Sequence, residues 1–356
     1  MTMKNVVFTG GGSGGHVMPA ITLIKTLNKD KSYNIGYIGG INSIERELVK
    51  DYDLKYFPIH TGKLRRYLSW ENIKDIFKVG LGIIEAFFVL VKYPSKNTLV
   101  FSTGGFVSVP VVLAAKIQGK RIFIHEQTSR VGLANRLCSK LADKVFISFE
   151  ESFKYFDKNK TFYSGYPLRK ECFEEKITNV TINGKLINSQ TRPILFVTGG
   201  GNGSQLINKL IERNLPVLTQ KYLIIHQTGK NFINDYLKYE SDAYLPLPFI
   251  GREMIDLYKL AHITIARSGA GTVCELLAIG KKSIFIPLKI AQKNEQYYNA
   301  LESKNKLGSI IIEEKELNDE SFFKALNDIG EENPRQTAAA ANGLTYLAKE
   351  IQRNFN

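Results

Sequence analysis

The sequence predicts an α/β fold made of two successive doubly wound parallel sheets. Three observations predict it. Short apolar runs rich in Val, Ile and Phe alternate with helical patterns along most of the chain. Glycine-rich turns follow several of those runs and open the next helix. A polar, Asn- and Lys-rich stretch from Glu171 to Gln190 interrupts the alternation, which restarts at Pro193. At 356 residues the chain is long enough for two domains, and its 44% hydrophobic content supports a core in each.

In chain order, Val6 to Thr9 reads as the first strand, and Gly10-Gly11-Gly12-Ser13-Gly14-Gly15-His16 as a turn into a helix. Pro19 lies near that helix's start, and Ala20, Ile21, Leu23, Ile24 and Leu27 form its apolar positions. Asn34 to Ile38 and Tyr56 to Ile59 read as strands, with Ile44 to Lys50 helical between them. Leu99 to Ser102 is a strand followed by a second glycine turn, Gly104 to Pro110. Ile122 to His125 is another, followed by Glu126-Gln127-Thr128, and Lys144 to Ser148 is the last strand of this half. The polar stretch Glu171 to Gln190 reads as a linker or surface excursion.

The second half repeats the design. Ile194 to Thr198 is a strand, followed by Gly199-Gly200-Gly201-Asn202-Gly203. Leu223 to His226, Ala243 to Leu247, His262 to Ala266 and Ser283 to Ile286 continue the alternation. Thr272 to Ile279 is apolar at helical spacing and stops at Gly280. Asn333 to Asn356 reads as a terminal helix that crosses back to the first half. The expected division is therefore residues 1–166 with 338–356, and residues 167–337.

Charge narrows the partners. Lys and Arg number 48 against 34 Asp and Glu, a formal net charge of +14, which favours an acidic partner: nucleic acid, an anionic membrane or a phosphorylated substrate. No helix-turn-helix, zinc or RNA-recognition signature is present, so nucleic acid ranks last. Cys138, Cys172 and Cys274 are far apart and form no metal-ligand spacing, which reads as free thiols of a reducing compartment. The chain enters a strand at once, with no signal peptide expected. Its longest apolar run, Val79 to Val91, is broken by Glu85 and too short to span a bilayer. Between Gly62 and Lys92, however, Lys63, Arg65 and Arg66 intersperse with Trp70, Phe77 and other aromatic and aliphatic residues. Basic residues beside exposed aromatics suggest contact with a membrane face, and the apolar part also suits a core-facing helix.

The chemistry points to two glycine turns. A strand, a small-residue turn and a helix expose free N–H groups to an anion, and Ser268-Gly269-Ala270-Gly271-Thr272 has that layout. Glu275 sits about one turn into the helix that follows, where a carboxylate suits the hydroxyl groups of a sugar. An ordinary βαβ unit with packing glycines has the same pattern. The N-terminal turn is neither a P-loop, since no Gly-Lys-Ser/Thr follows, nor a clean dinucleotide fingerprint. His16 at its end projects from a helix start; it is a candidate base, although a lone His also suits a structural role. No clustered His and Asp set reads as a divalent-ion site, so neither metal nor cofactor is expected.

Taken together, GGSGGH, GGFVSVP, HEQ followed by GLAN, GYPLR, GGGNG, and RSGAGTVCE followed by QYYNA resemble the MurG-type family of UDP-N-acetylglucosamine transferases in glycosyltransferase family 28. The motifs occur in that family's order, at its approximate spacing and over nearly the whole chain. The resemblance implies a GT-B fold, two Rossmann-like domains with a cleft between them. It also implies an inverting, metal-independent transfer of GlcNAc from UDP-GlcNAc to lipid I, giving lipid II in peptidoglycan synthesis, by a peripheral protein on the cytoplasmic side of the cell membrane.

By motif, Arg169 is expected to contact the donor and Ile250 to offer backbone groups to uracil. Ala270, Gly271 and Thr272 would meet the diphosphate, Glu275 the ribose and Gln296 the GlcNAc ring. Ser13, Gly14 and Gly15 would complete the donor site. His16 would be the general base or position the acceptor, with Glu126 or a bound water as the alternative base. Three departures stand out: Gly201 occupies a position where the family often has Ser, with Ser204 nearby; Thr128 stands in for the usual Asn; and Glu295 adds a charge before Gln296. A diacylglycerol glycosyltransferase of the same family and a UDP-GlcNAc 2-epimerase are the alternative activities.

Overall fold

A computed structural model describes residues 3–330 and 343–356, apart from 51, 53, 63–69, 176, 189–191 and 290–293, and only the backbone at 70–74. The chain divides into two compact units, residues 1–168 with 341–356, and residues 169–340.

The first unit opens with β1 (Lys4–Thr9), α1 (Gly14–Leu27), β2 (Tyr33–Gly40), α2 (Ile44–Val49) and β3 (Lys55–Ile59). It continues with α3 (Trp70–Val91), β4 (Thr98–Ser102), α4 (Ser108–Ile117), β5 (Arg121–Glu126), α5 (Leu133–Ser139), β6 (Lys144–Ile147) and β7 (Thr161–Tyr163). The seven strands form one parallel sheet in the order β3-β2-β1-β4-β5-β6-β7. Both faces are covered, so the strands are apolar on both sides: Val7, Val100, Ile122 and Val145 point into one core, Phe8, Phe101, Phe123 and Phe146 into the other. β7 extends the sheet beyond β6, the last strand read from sequence. Three residues with an exposed centre carry too little pattern to be recognised.

The second unit begins with a hairpin, β8 (Asn179–Ile182) and β9 (Lys185–Asn188), antiparallel about Asn183 and Gly184. Part of the stretch expected to be a linker is thus a hairpin. Both turn residues have φ above zero, at 49° and 78°, the arrangement that an Asn-Gly pair favours in a two-residue hairpin. The elements β10 (Ile194–Thr198), α6 (Gln205–Lys221), β11 (Leu223–Gln227), α7 (Ile233–Tyr236), β12 (Tyr244–Leu247) and α8 (Met254–Leu260) follow. Then come β13 (Ile263–Ala266), α9 (Ala270–Ile279), β14 (Ile284–Phe285), α10 (Glu295–Leu307), β15 (Ile310–Ile311) and α11 (Asp319–Asp328). Six parallel strands in the order β12-β11-β10-β13-β14-β15 make its sheet. Both sheets are therefore doubly wound about the crevice beside their first strand, where such folds bind ligands.

The last helix, α12 (Gly343–Arg353), belongs to the first unit. Leu347 and Ile351 are buried against the α1 side of the core, and Glu350 pairs with Lys144 at 2.7 Å. The three cysteines are buried and free. Among the described residues no helix is long and apolar enough to cross a membrane.

Candidate active site

In the first unit, β1 ends in a turn whose first glycines are demanded by packing. Gly12 has φ +83°, and a Cβ there would lie 2.4 Å from the Phe106 ring. A Cβ at Gly11 would lie 2.3 Å from the carboxyl carbon of Glu45. That carboxylate is fully buried and accepts from the Gly12 N–H at 3.2 Å and the Gly40 N–H at 2.9 Å, which pins the turn. Gly14 and Gly15 differ. Neither has a left-handed φ, and a Cβ on Gly14 would meet nothing within 4 Å. Neither backbone conformation nor local packing requires glycine at these two positions. Ser13, at the N-cap, makes no side-chain bond to its own helix.

His16 is the third residue of α1. Its Nδ1 lies 3.0 Å from the Thr103 carbonyl oxygen and 3.1 Å from Gln127 Oε1. Thr103 follows β4 and Gln127 follows β5, so the carboxyl ends of adjacent strands supply both contacts. Gln127 was not singled out from the sequence. The loop after it is clamped by Glu126, whose Oε1 accepts from the Thr128 N–H and hydroxyl, both at 2.9 Å. Its Oε2 accepts from Asn135 at 2.9 Å. Glu126, the alternative base, is thus buried and committed to its loop. Thr128 is likewise turned inward, with Glu126 and the Arg130 carbonyl as its partners.

In the second unit, α9 starts at Ala270, two residues earlier than its apolar spacing indicates. Ala270, Gly271 and Thr272 therefore form the first helical turn, and their N–H groups have no side-chain cap. Gly269 at the N-cap has φ −60°, and a Cβ there would meet nothing within 4 Å. Gly280 ends the helix in the left-handed conformation at φ +75°.

Glu275 pairs with Arg169 at 3.0 Å, and Arg169 also reaches the Gly251 carbonyl at 3.4 Å. Burial pushes the Glu275 carboxyl above its ordinary value, and the Arg169 guanidinium offsets part of that shift. Two sequence-selected residues thus meet across 106 positions of chain.

The remaining donor-side candidates are held by partners of their own. The Ile250 N–H donates to Gln227 Oε1 at 2.8 Å, which leaves the carbonyl as the backbone group for a base. Gln227, missed in the sequence, also donates to the Gly200 carbonyl at 2.8 Å and so ties the glycine turn to this segment. Gln296, in the first turn of α10, accepts from the Leu288 N–H at 3.0 Å. Gly201 is exposed, and Ser204 does not replace its missing hydroxyl. The Ser204 oxygen caps α6 and accepts from Arg267 at 2.9 and 3.2 Å. Arg267 in turn donates to the Ile286 carbonyl at 2.9 Å and pairs with Glu314 at 2.7 Å.

Of the membrane candidates, Lys63, Arg65 and Arg66 lie outside the described residues, and at Trp70 only the backbone, in α3, is described. Phe77 is 75% exposed. With Leu81, Ile84, Phe88 and Val91 it makes an exposed apolar stripe at steps of four, three, four and three. Ala86 and Leu90 on the other side enter the core, so one face of the helix is core-facing and the opposite face is exposed.

Residues 6–147 match the model of the glycosyltransferase family 28 N-terminal domain, and residues 194–353 that of its C-terminal domain. The chain belongs to glycosyltransferase family 28. Similar family members include a protein of Clostridium botulinum, 37% identical over 99% of both chains, and one of Lachnoclostridium phytofermentans, 41% identical over 92% of this chain and 91% of that one. Both are named UDP-N-acetylglucosamine–N-acetylmuramyl-(pentapeptide) pyrophosphoryl-undecaprenol N-acetylglucosamine transferase. Among solved structures, Acinetobacter baumannii MurG matches with a TM-score of 0.74 at 23% identity, covering 98% of this chain and 99% of that one. A UDP-N-acetylglucosamine 2-epimerase from Rickettsia bellii matches at 0.62 with 16% identity, over 99% and 96%. Both likenesses concern the fold, the GT-B arrangement of two Rossmann-like sheets that this family 28 chain adopts.

Proposed function

We propose that this chain transfers GlcNAc from UDP-GlcNAc to lipid I, forming lipid II. The observation that carries this reading is identity of 37–41% to transferases of that name over nearly the full length. The second unit supplies the donor site. The uncapped N–H groups of Ala270, Gly271 and Thr272 receive the diphosphate, whose charge they also stabilise as UDP leaves. Glu275, held by Arg169, takes the ribose hydroxyls, the Ile250 carbonyl meets uracil, and Gln296 meets GlcNAc. Gly201 offers its backbone to the donor, and Thr128, whose hydroxyl hydrogen is committed to its own loop, offers its oxygen as an acceptor.

The first unit supplies the acceptor side. The acceptor hydroxyl attacks the anomeric carbon as the bond to UDP breaks, inverting α to β, and its proton passes to His16. Ser13, Gly14 and Gly15 keep the approach clear. The exposed stripe on α3, preceded in the sequence by Lys63, Arg65, Arg66 and Trp70, rests on the cytoplasmic face of the membrane, where anionic lipids attract the basic residues.

The test is incubation with labelled UDP-GlcNAc and lipid I in lipid vesicles, with product analysis. Labelled lipid II is the expected product. Epimerised nucleotide sugar without lipid labelling, or labelling of diacylglycerol instead, would replace this reading with one of the alternatives. Phe77→Ser with Phe88→Ser should weaken vesicle binding while transfer to a water-soluble acceptor survives.

A further inference from the structure

We propose that Gln127 is a positioning residue: with the Thr103 carbonyl it holds His16 with its proton on Nδ1 and the lone pair on Nε2, and buried His125 fixes which way round the Gln127 amide sits. Its consequence for catalysis rests on the proposed role of His16 as the base.

The assignment follows from what each partner can do. A backbone carbonyl only accepts, so His16 Nδ1, 3.0 Å from the Thr103 oxygen, must carry hydrogen. The Gln127 amide is oriented independently. Its Nε2 lies 2.9 Å from the His125 carbonyl oxygen, again an acceptor only, so that end is the NH2 group and the oxygen faces His16 at 3.1 Å. The same Nε2 lies 3.2 Å from His125 Nδ1, which therefore accepts. His125 Nε2 lies 3.2 Å from both the Gly165 carbonyl oxygen and the Ser148 hydroxyl oxygen, and because Nδ1 accepts, the neutral ring carries its hydrogen on Nε2 and donates there. Every donor meets an acceptor from Gly165 through His125 and Gln127 to His16, and reversing any one group would set two donors or two lone pairs against each other. Burial holds His125 neutral, lowering its pKa to about 4, which is what a ring with one donor and one acceptor nitrogen requires. Gln127 and His125 are both fully enclosed, so water does not compete for these bonds.

The two histidines thus carry their protons on opposite nitrogens, Nδ1 in His16 and Nε2 in His125. For His16 this leaves Nε2 free to take the acceptor's proton, and the two oxygens at Nδ1 stabilise the imidazolium that results. Asymmetry of this kind is set by the partners of the ring, not by the ring itself.

The experiment uses the full chain labelled with 15N-histidine, with long-range 1H–15N correlation to read the tautomer of each of its five histidines, and His16→Ala to assign one. His16 as the Nδ1–H tautomer and His125 as Nε2–H is the expected result, and it needs no variant to fold. Gln127→Leu should raise the Nε2–H fraction of His16 and lower kcat about 10-fold, part of the ~10²–10⁴-fold that a general base contributes, with KM for UDP-GlcNAc nearly unchanged. His16 as Nε2–H in the wild type, or a Gln127→Leu variant with tautomer and kcat both unchanged, would overturn the proposal. The tautomers standing as expected in a chain that makes no lipid II would support it and overturn the proposed activity instead.

Discussion

The turn from β1 into α1 and the turn from β13 into α9 share one layout, yet they are equipped differently. In the first, a buried carboxylate, Glu45, already accepts a backbone N–H of the turn, and a histidine stands in the first helical turn. In the second, as in the first, no side chain caps the helix, but the carboxylate lies further in, paired with Arg169. An anion suits the second better, because the first already holds a carboxylate on its Gly12 N–H. The first suits proton handling. A glycine turn is thus a scaffold whose chemistry is decided by the side chains that distant segments bring to it.

The sharpest way to break this comparison is His16→Ala. It should cost kcat ~10²–10⁴-fold, while UDP-GlcNAc affinity measured by calorimetry stays near wild type. Lost donor affinity would mean that the two turns share one role. Glu275→Ala comes next. Losing a charged hydrogen bond should weaken UDP binding by about 1.5–3 kcal/mol, and titration with UDP alone checks it. Unchanged affinity would remove Glu275 from the donor site.

The glycines separate the turns by a different measure. Gly12→Ala forces a Cβ onto Phe106 at a left-handed φ and should destabilise the first unit by about 1–3 kcal/mol. Gly269→Ala meets open space at φ −60° and should leave melting unchanged within about 0.5 kcal/mol, yet weaken UDP binding. Thermal melts of both variants with and without UDP give the answer.

The smallest contrast is in acid. Each unit buries one neutral histidine, His125 with pKa lowered to about 4 and His226 to about 3, both chiefly by burial. A depressed histidine binds its proton only after unfolding, so its stability is full above the ordinary pKa of about 6.5 and falls as pH drops towards the folded value. Each should cost about 1.4 kcal/mol per pH unit across its window. Hydrogen exchange of the β5 and β11 amides between pH 7 and 3 would show protection falling in both as pH drops below about 6.5.

Elements with a local signature were legible without any structure. The strand–glycine–helix units at β1 and β13 and the stop at Gly280 rest on period, small residues and left-handed φ, all of which are local. The β8–β9 hairpin was legible too, in alternation around Asn183-Gly184, but its polar composition hid it. β7 and β15, of three and two residues, were not: strands that short exist only because a neighbouring strand pairs with them.

Motif order identified Glu275, Arg169 and His16. It did not disclose that Arg169 pairs with Glu275, that Ser204 is spent on Arg267, or that Glu126 clamps its own loop. Those facts join residues up to 106 positions apart, and hydrogen-bond partnership at that range depends on strand order and turn geometry. The sequence by itself determined the two parallel sheets, their glycine turns and the candidate residues, because backbone conformation and burial pattern are encoded over a few residues. Only the tertiary structure decided which donors and acceptors those residues have left for a ligand, because each polar side chain that the fold brings near takes up part of that capacity.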